Sequence, residues 1–134
     1  MKEYLLLKTS KTMSISVTPH FSFDRSFPEL DHYVWEYKIR IKNKQNKTIN
    51  ILKSNFSIVD MLGRRIPIQH DDNNQGKACL NPNEEYEYTD FTPLTVPMGM
   101  MQGWYDFEDQ EGSVFKECIP LVSLDSPFHD CLIH

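Results

Sequence analysis

The last six residues, HDCLIH, place His129, Cys131 and His134 close together, and imidazole and thiolate are the ligand types that take zinc, cobalt or nickel. Their spacing matches no closed four-ligand site, so a further donor such as His20 or Asp130 has to complete it. Asp106, Glu108, Asp109 and Glu111 form a second cluster, whose hard oxygens suit magnesium. It lacks the spacing of a calcium loop, and a solvated turn is the plainer reading. Lys38, Arg40, Lys42 and Lys44 recur at every second position, with Lys47 close by. A nucleic-acid stripe would interleave exposed aromatics with such cations. Here the aromatics alternate onto the opposite face, so the stripe reads as a solvated strand face that resists aggregation. No G-x-S-x-G or H-E-x-x-H occurs, and no cysteine has a catalytic family context. The chemistry-bearing residues therefore predict a non-enzyme without a cofactor.

With 134 residues, 40% apolar and 25% charged, the chain has the size and composition of one globular domain. A net charge of -5 argues against nucleic acid or an anionic membrane as the main partner. The charge is unevenly spread. Residues 38–77 carry nine Lys or Arg against three Asp, whereas 78–115 carry eight acids and no base. The domain is electrically two-sided if those segments reach different surfaces. Cys79, Cys118 and Cys131 are an odd number without a C-x-x-C pair, as expected of free thiols in a reducing compartment. The start, MKEYLLLKTSKTM, has no secretory pattern, and no stretch approaches the roughly 18 apolar residues of a membrane span. The expected location is cytoplasmic.

The elements that must position these residues are strands. In YVWEYKIRIK, residues 33–42, Tyr33, Trp35, Tyr37, Ile39 and Ile41 fall on one face and the charged residues on the other. Similar runs start at Ile15 and Val17, at Ile49 and Ile51, at Phe56 and Ile58, and at Tyr86 and Tyr88. Phe115, Ile119 and Leu121 mark a last long one. Turn residues separate them at Asn43–Asn46, Leu62-Gly63, Asn81-Pro82-Asn83 and Asp109–Gly112. The pattern predicts an all-β antiparallel sandwich of seven to nine strands.

Within PLTVPMGMMQGWYDF, residues 93–107, two prolines without backbone donors predict an extended, unpaired arm over 93–97. Val96-Pro97-Met98-Gly99 fits a type I turn, with a strand beginning near Met100. Along that strand Met101, Gly103, Tyr105 and Phe107 are assigned to the core face. Gly103 is expected where a side chain would collide or where the strand bulges. Met100, Gln102 and Trp104 then point outward, either under the proline arm or available to a partner.

The run Pro93-Leu94-x-x-Pro97-x-Gly99-x-Met101-x-Gly103-x-Tyr105, followed by Asp109, Gly112, Phe115 and Ile119-Pro120, resembles the signature of the bacterial ApaG family. Pro82, Glu84, Tyr88 and Thr89 fit its approach, and Val17, Tyr33, Tyr37 and Ile39–Asn43 its first strands. The resemblance runs over about residues 14–125 and implies a fibronectin III-like or immunoglobulin-like β-sandwich. It also implies an association with cobalt resistance and magnesium efflux, and a gene that itself often neighbours the one for diadenosine tetraphosphate hydrolysis. Related eukaryotic domains are appended to an F-box protein and a polymerase-interacting protein, which implies an interaction module. Many bacterial members carry G-x-G-x-x-G, yet those glycines fall at His70, Asp72 and Gln75 here, with only Gly76 nearby. A phosphate cradle needs glycine backbone, and Asp71 and Asp72 would repel an anion. Pyrophosphate binding is therefore not carried over.

The reading is a single ApaG-like domain, 1–134, with mobile ends at 1–12 and 126–134, that binds another protein through Met100, Gln102 and Trp104. No nucleic acid and no membrane insertion are expected. Pro93, Leu94, Pro97, Gly99, Met101, Gly103, Tyr105, Gly112, Phe115 and Pro120 are read as structural. The alternative is a divalent-metal sensor or carrier centred on His129, Cys131 and His134 or on the carboxylates of residues 106–111.

Overall fold

The alternation of YVWEYKIRIK becomes strand β3 (Tyr33–Asn43), whose Tyr37, Ile39 and Ile41 are wholly buried. β3 is flanked by β2 (Met13–Phe21) and β7 (Glu85–Leu94), and β1 (Leu6–Thr9) adds to β2, all antiparallel. The computed structural model describes residues 6–9, 12–68 and 79–128. In its second sheet β10 (Val122–Asp125), β8 (Met98–Glu108), β4 (Ile49–Asp60) and β5 (Arg65–Pro67) lie side by side. β6 (Cys79–Leu80) extends along β4, and β9 (Val114–Cys118) along β8. The two sheets enclose one apolar core, to which Trp35, Tyr37, Tyr105, Phe21 and Phe107 contribute the largest buried side chains. No helix of the described residues is long and apolar enough to cross a membrane.

The all-β sandwich is thus as expected, with ten strands among the described residues because three short ones, β1, β5 and β6, escape detection by alternation. Two expected strands merge into one. Ile49 and Ile51 share the core face with Phe56 and Ile58 although one pair is odd-numbered and the other even. The register against β8 shifts between Ile51 and Lys53, and that one-residue bulge restores the inward phase. Conversely, the last expected strand splits at Pro120 into β9 and β10, which turns Leu121 out to 61% exposure while Ile119 stays buried.

The proline arm is also different from the expectation. Pro93 belongs to β7, opposite Val34, because β7 is an edge strand of its sheet and needs no donor on its outer side. The crossing between sheets shrinks to residues 95–97. Gly99 lies within β8, paired with Asp60 and Leu124, not at the end of a turn. It is small because a Cβ there would come within 2.9 Å of Ile58 Cγ2. At the chain ends read as mobile, Leu6–Thr9 form an edge strand. The Ser126 amide donates to the Pro97 carbonyl at 3.0 Å, and Phe128 packs on the core.

The expected two-sided charge does not arise between β3 and β7, because these strands lie side by side. The register sets Arg40 opposite Glu87, and its guanidinium reaches that carboxylate at 2.7 Å, with Lys38 at 3.5 Å. Lys47 likewise meets Asp109 at 3.2 Å and Glu111 at 3.3 Å. Lys38 and Arg40 thus share one carboxylate, which offsets part of the basic stripe on its own surface.

Candidate partner-binding face

Strand period places Met101, Tyr105 and Phe107 of β8 in the core, fully buried, and Met100, Gln102 and Trp104 on the outer face of the second sheet. Gly103 makes that arrangement possible. Its φ is +150°, and a Cβ would stand 2.2 Å from the Asn55 carbonyl oxygen and 2.8 Å from Phe56 Cα. The close approach seats Trp104 beside Asn55 of β4 on one side and Cys118 of β9 on the other. The bulge that sequence allowed at Gly103 lies instead on β4.

Trp104 is the centre of the face. Lys116 Nζ stands 4.7 Å from its ring centre, a cation–π contact, and its indole Nε1 is buried without a hydrogen-bond partner. Arg65 of β5 donates from Nη1 to Ser57 Oγ at 3.2 Å. With the Gln102 amide oxygen turned toward it, Arg65 also donates to that oxygen from both terminal nitrogens at 3.1 Å. A groove of about 610 Å³ opens here, between Arg65 and Gln102 on one wall and Ile119, Pro120 and Leu121 on the other. A second hollow, about 430 Å³, lies across Arg65 and Trp104 toward Lys53 and Pro67. The segment beside Trp104 is thus the β9–β10 link, and the 95–97 crossing lines neither hollow. Met100 is 42% exposed on the same face.

Of the carboxylates around the turn, Asp106, Asp109 and Glu111 are already engaged. Asp109 accepts the amides of Ser113 and Glu111 at 2.9 and 3.0 Å and pairs with Lys47. The Ser113 amide foremost, with Lys47 and the Glu111 amide, holds its carboxyl below the usual range. Asp106 accepts from Asn55 Nδ2 at 3.0 Å. Among the described residues no three His, Cys, Asp or Glu gather as metal ligands. His129, Cys131 and His134 lie outside the described residues, as do the glycine-motif positions His70, Asp72, Gln75 and Gly76. Cys79 and Cys118 are free thiols.

The sandwich and its Gly99–Gly103 close approaches can be set against known proteins. The ApaG domain family model matches residues 23–109, which contain the whole of β3 through β8. This chain belongs to the ApaG family. It is 38% identical over 120 residues to protein ApaG of Paramagnetospirillum magneticum, spanning 90% of this chain and 92% of that one. ApaG of Parvibaculum lavamentivorans is 35% identical over 125 residues, 93% of this chain and 96% of its own. The crystal structure of a Bordetella pertussis protein assigned to ApaA superposes with a TM-score of 0.79 at 29% identity, covering 86% of this chain and 94% of that one.

In this ApaG domain, sequence reasoning found Met100, Gln102 and Trp104 as outward residues of one strand, and the structure places them together. It missed Arg65, Lys53, Lys116 and Leu121, which join the face from four other segments. The Gly63 turn followed by Arg64-Arg65 was the available signal for Arg65. Nothing in the sequence pointed to Lys116, whose position depends on β9 pairing with β8.

Proposed function

We propose that this ApaG domain is a non-catalytic module that docks another protein on the outer face of its second sheet. The observation that carries the reading is Trp104, set between a buttressed Arg65 and an exposed Leu121 beside an open groove. Tryptophan and arginine dominate protein-binding hot spots because a large surface and a planar donor fork both gain most when a partner excludes water. Met100, on the same face, supplies an adaptable apolar contact. The association with cobalt resistance and magnesium efflux implied by the family would act through the docked partner.

The double variant Met100→Ala with Trp104→Ala tests the reading by affinity capture from native extract and mass spectrometry. Loss of one specific partner while the thermal transition stays cooperative supports it. Equal capture by wild type and variant removes this face from consideration.

A further inference from the structure

We infer that the groove beside Trp104 takes a short acidic peptide segment carrying a large apolar side chain, an inference that rests on the docking reading above. The charge on this face runs against that of the molecule. The chain as a whole has a net charge of -5. Yet Arg65, Lys53 and Lys116 all lie exposed around Trp104, and none of them forms an ion pair among the described residues. The carboxylate among them is Asp106, which sits opposite Lys53 on β4 and Lys116 on β9 and accepts from Asn55. The surplus is cationic, whereas on the other basic stripe Lys38 and Arg40 both pair with Glu87.

Arg65 is also oriented. Ser57 and Gln102 hold its terminal nitrogens, which leaves part of the five-donor fork to meet a carboxylate in planar, two-point fashion. Facing it across the groove are Ile119, Pro120 and Leu121, an aliphatic wall suited to an apolar side chain laid against the indole. A single-stranded nucleic acid would ask for successive aromatic platforms along a cationic track. Here the groove lining offers one indole and no second aromatic platform. A peptide with Asp or Glu next to Leu, Ile or Phe matches both walls.

Panning a displayed library of random short peptides against the full chain tests this, followed by fluorescence anisotropy of an enriched peptide on wild type, Arg65→Glu and Leu121→Ser. Both substitutions are at exposed positions and should fold; thermal melts check it. The expected result is enrichment of sequences with acids next to large apolar residues, bound about tenfold or more weakly by Arg65→Glu and more weakly in added salt. Enriched apolar peptides that lack acids, insensitive to Arg65→Glu but lost in Leu121→Ser, overturn the acidic class and leave the docking reading standing. Peptides that bind wild type and both variants equally overturn both. No enrichment, or Arg65-dependent binding of an oligothymidine probe in place of peptide, overturns the inference.

Discussion

Tyr88 of one sheet and Tyr105 of the other join their hydroxyls across the core. Burial, then the neighbouring Tyr88, pushes the Tyr105 pKa well above that of a free phenol. Tyr37 is raised too, by burial first and then by Asp90, whose carboxylate lies 3.5 Å from its hydroxyl. A phenol with a raised folded pKa holds its proton more tightly in the folded state than in the unfolded chain. Its contribution is complete below the unfolded pKa of about 10 and is lost as pH climbs through the folded value. Denaturant midpoints should therefore show no tyrosine-linked loss between about pH 7 and 9 and fall above about pH 10. Tyr105→Phe should cost about 1 kcal/mol at neutral pH and make the alkaline fall shallower. An alkaline profile identical to wild type would contradict the assignment.

Gly103→Ala should be among the most damaging single changes. The added Cβ meets backbone at 2.2 and 2.8 Å, where no flexible side chain can yield, and φ at this position is +150°. We expect a loss of about 3 kcal/mol or more in urea unfolding, or failure to fold. A loss under about 1 kcal/mol would mean that β4 and β8 do not approach as described.

Asp60 closes the β4–β5 turn that presents Arg65. Its buried carboxylate accepts the amides of Leu62 and Arg64 at 2.9 and 3.1 Å and Arg64 Nε at 2.8 Å. Burial works against its charge, but the Arg64 and Leu62 amides and then the guanidinium outweigh it and hold the carboxyl below its usual range. A depressed folded pKa gives stability that is present above the unfolded value near 3.8 and is lost as pH falls through the folded one. Asp60→Ala should cost about 2 kcal/mol at pH 7, and its deficit relative to wild type should shrink as pH drops below about 4. A pH-independent deficit would show that shape, not charge, holds the turn.

Much of the sandwich was legible because burial of one strand face imposes period two, and β3 obeys it from Trp35 to Asn43. What escaped depends on neighbours. The bulge after Ile51 reads as two strands until β8 is seen to pair with both halves. Pro93 reads as an unpaired arm, because edge position is a property of the sheet and not of the residue. Gly103 was legible because no other residue tolerates that approach. Met100, Gln102 and Trp104 were legible as outward residues of one strand, but the cations beside them come from β4, β5 and β9 and meet only through strand order. Charge segregation along the chain misled for the same reason, since β3 and β7 pair in space.

Hydroxyl-radical footprinting of the protein, free and saturated with its captured partner, tests the docking face most directly. Methionine and tryptophan are among the most readily labelled side chains, and Met100 at 42% exposure is open to reagent in the free protein. Binding should suppress labelling of Met100, Trp104 and Leu121, while Phe91 on the outer face of the first sheet keeps its free-state rate. Undiminished labelling of Met100 and Trp104 in the complex, with protection at Phe91 instead, would place the interface on the opposite sheet and contradict the account.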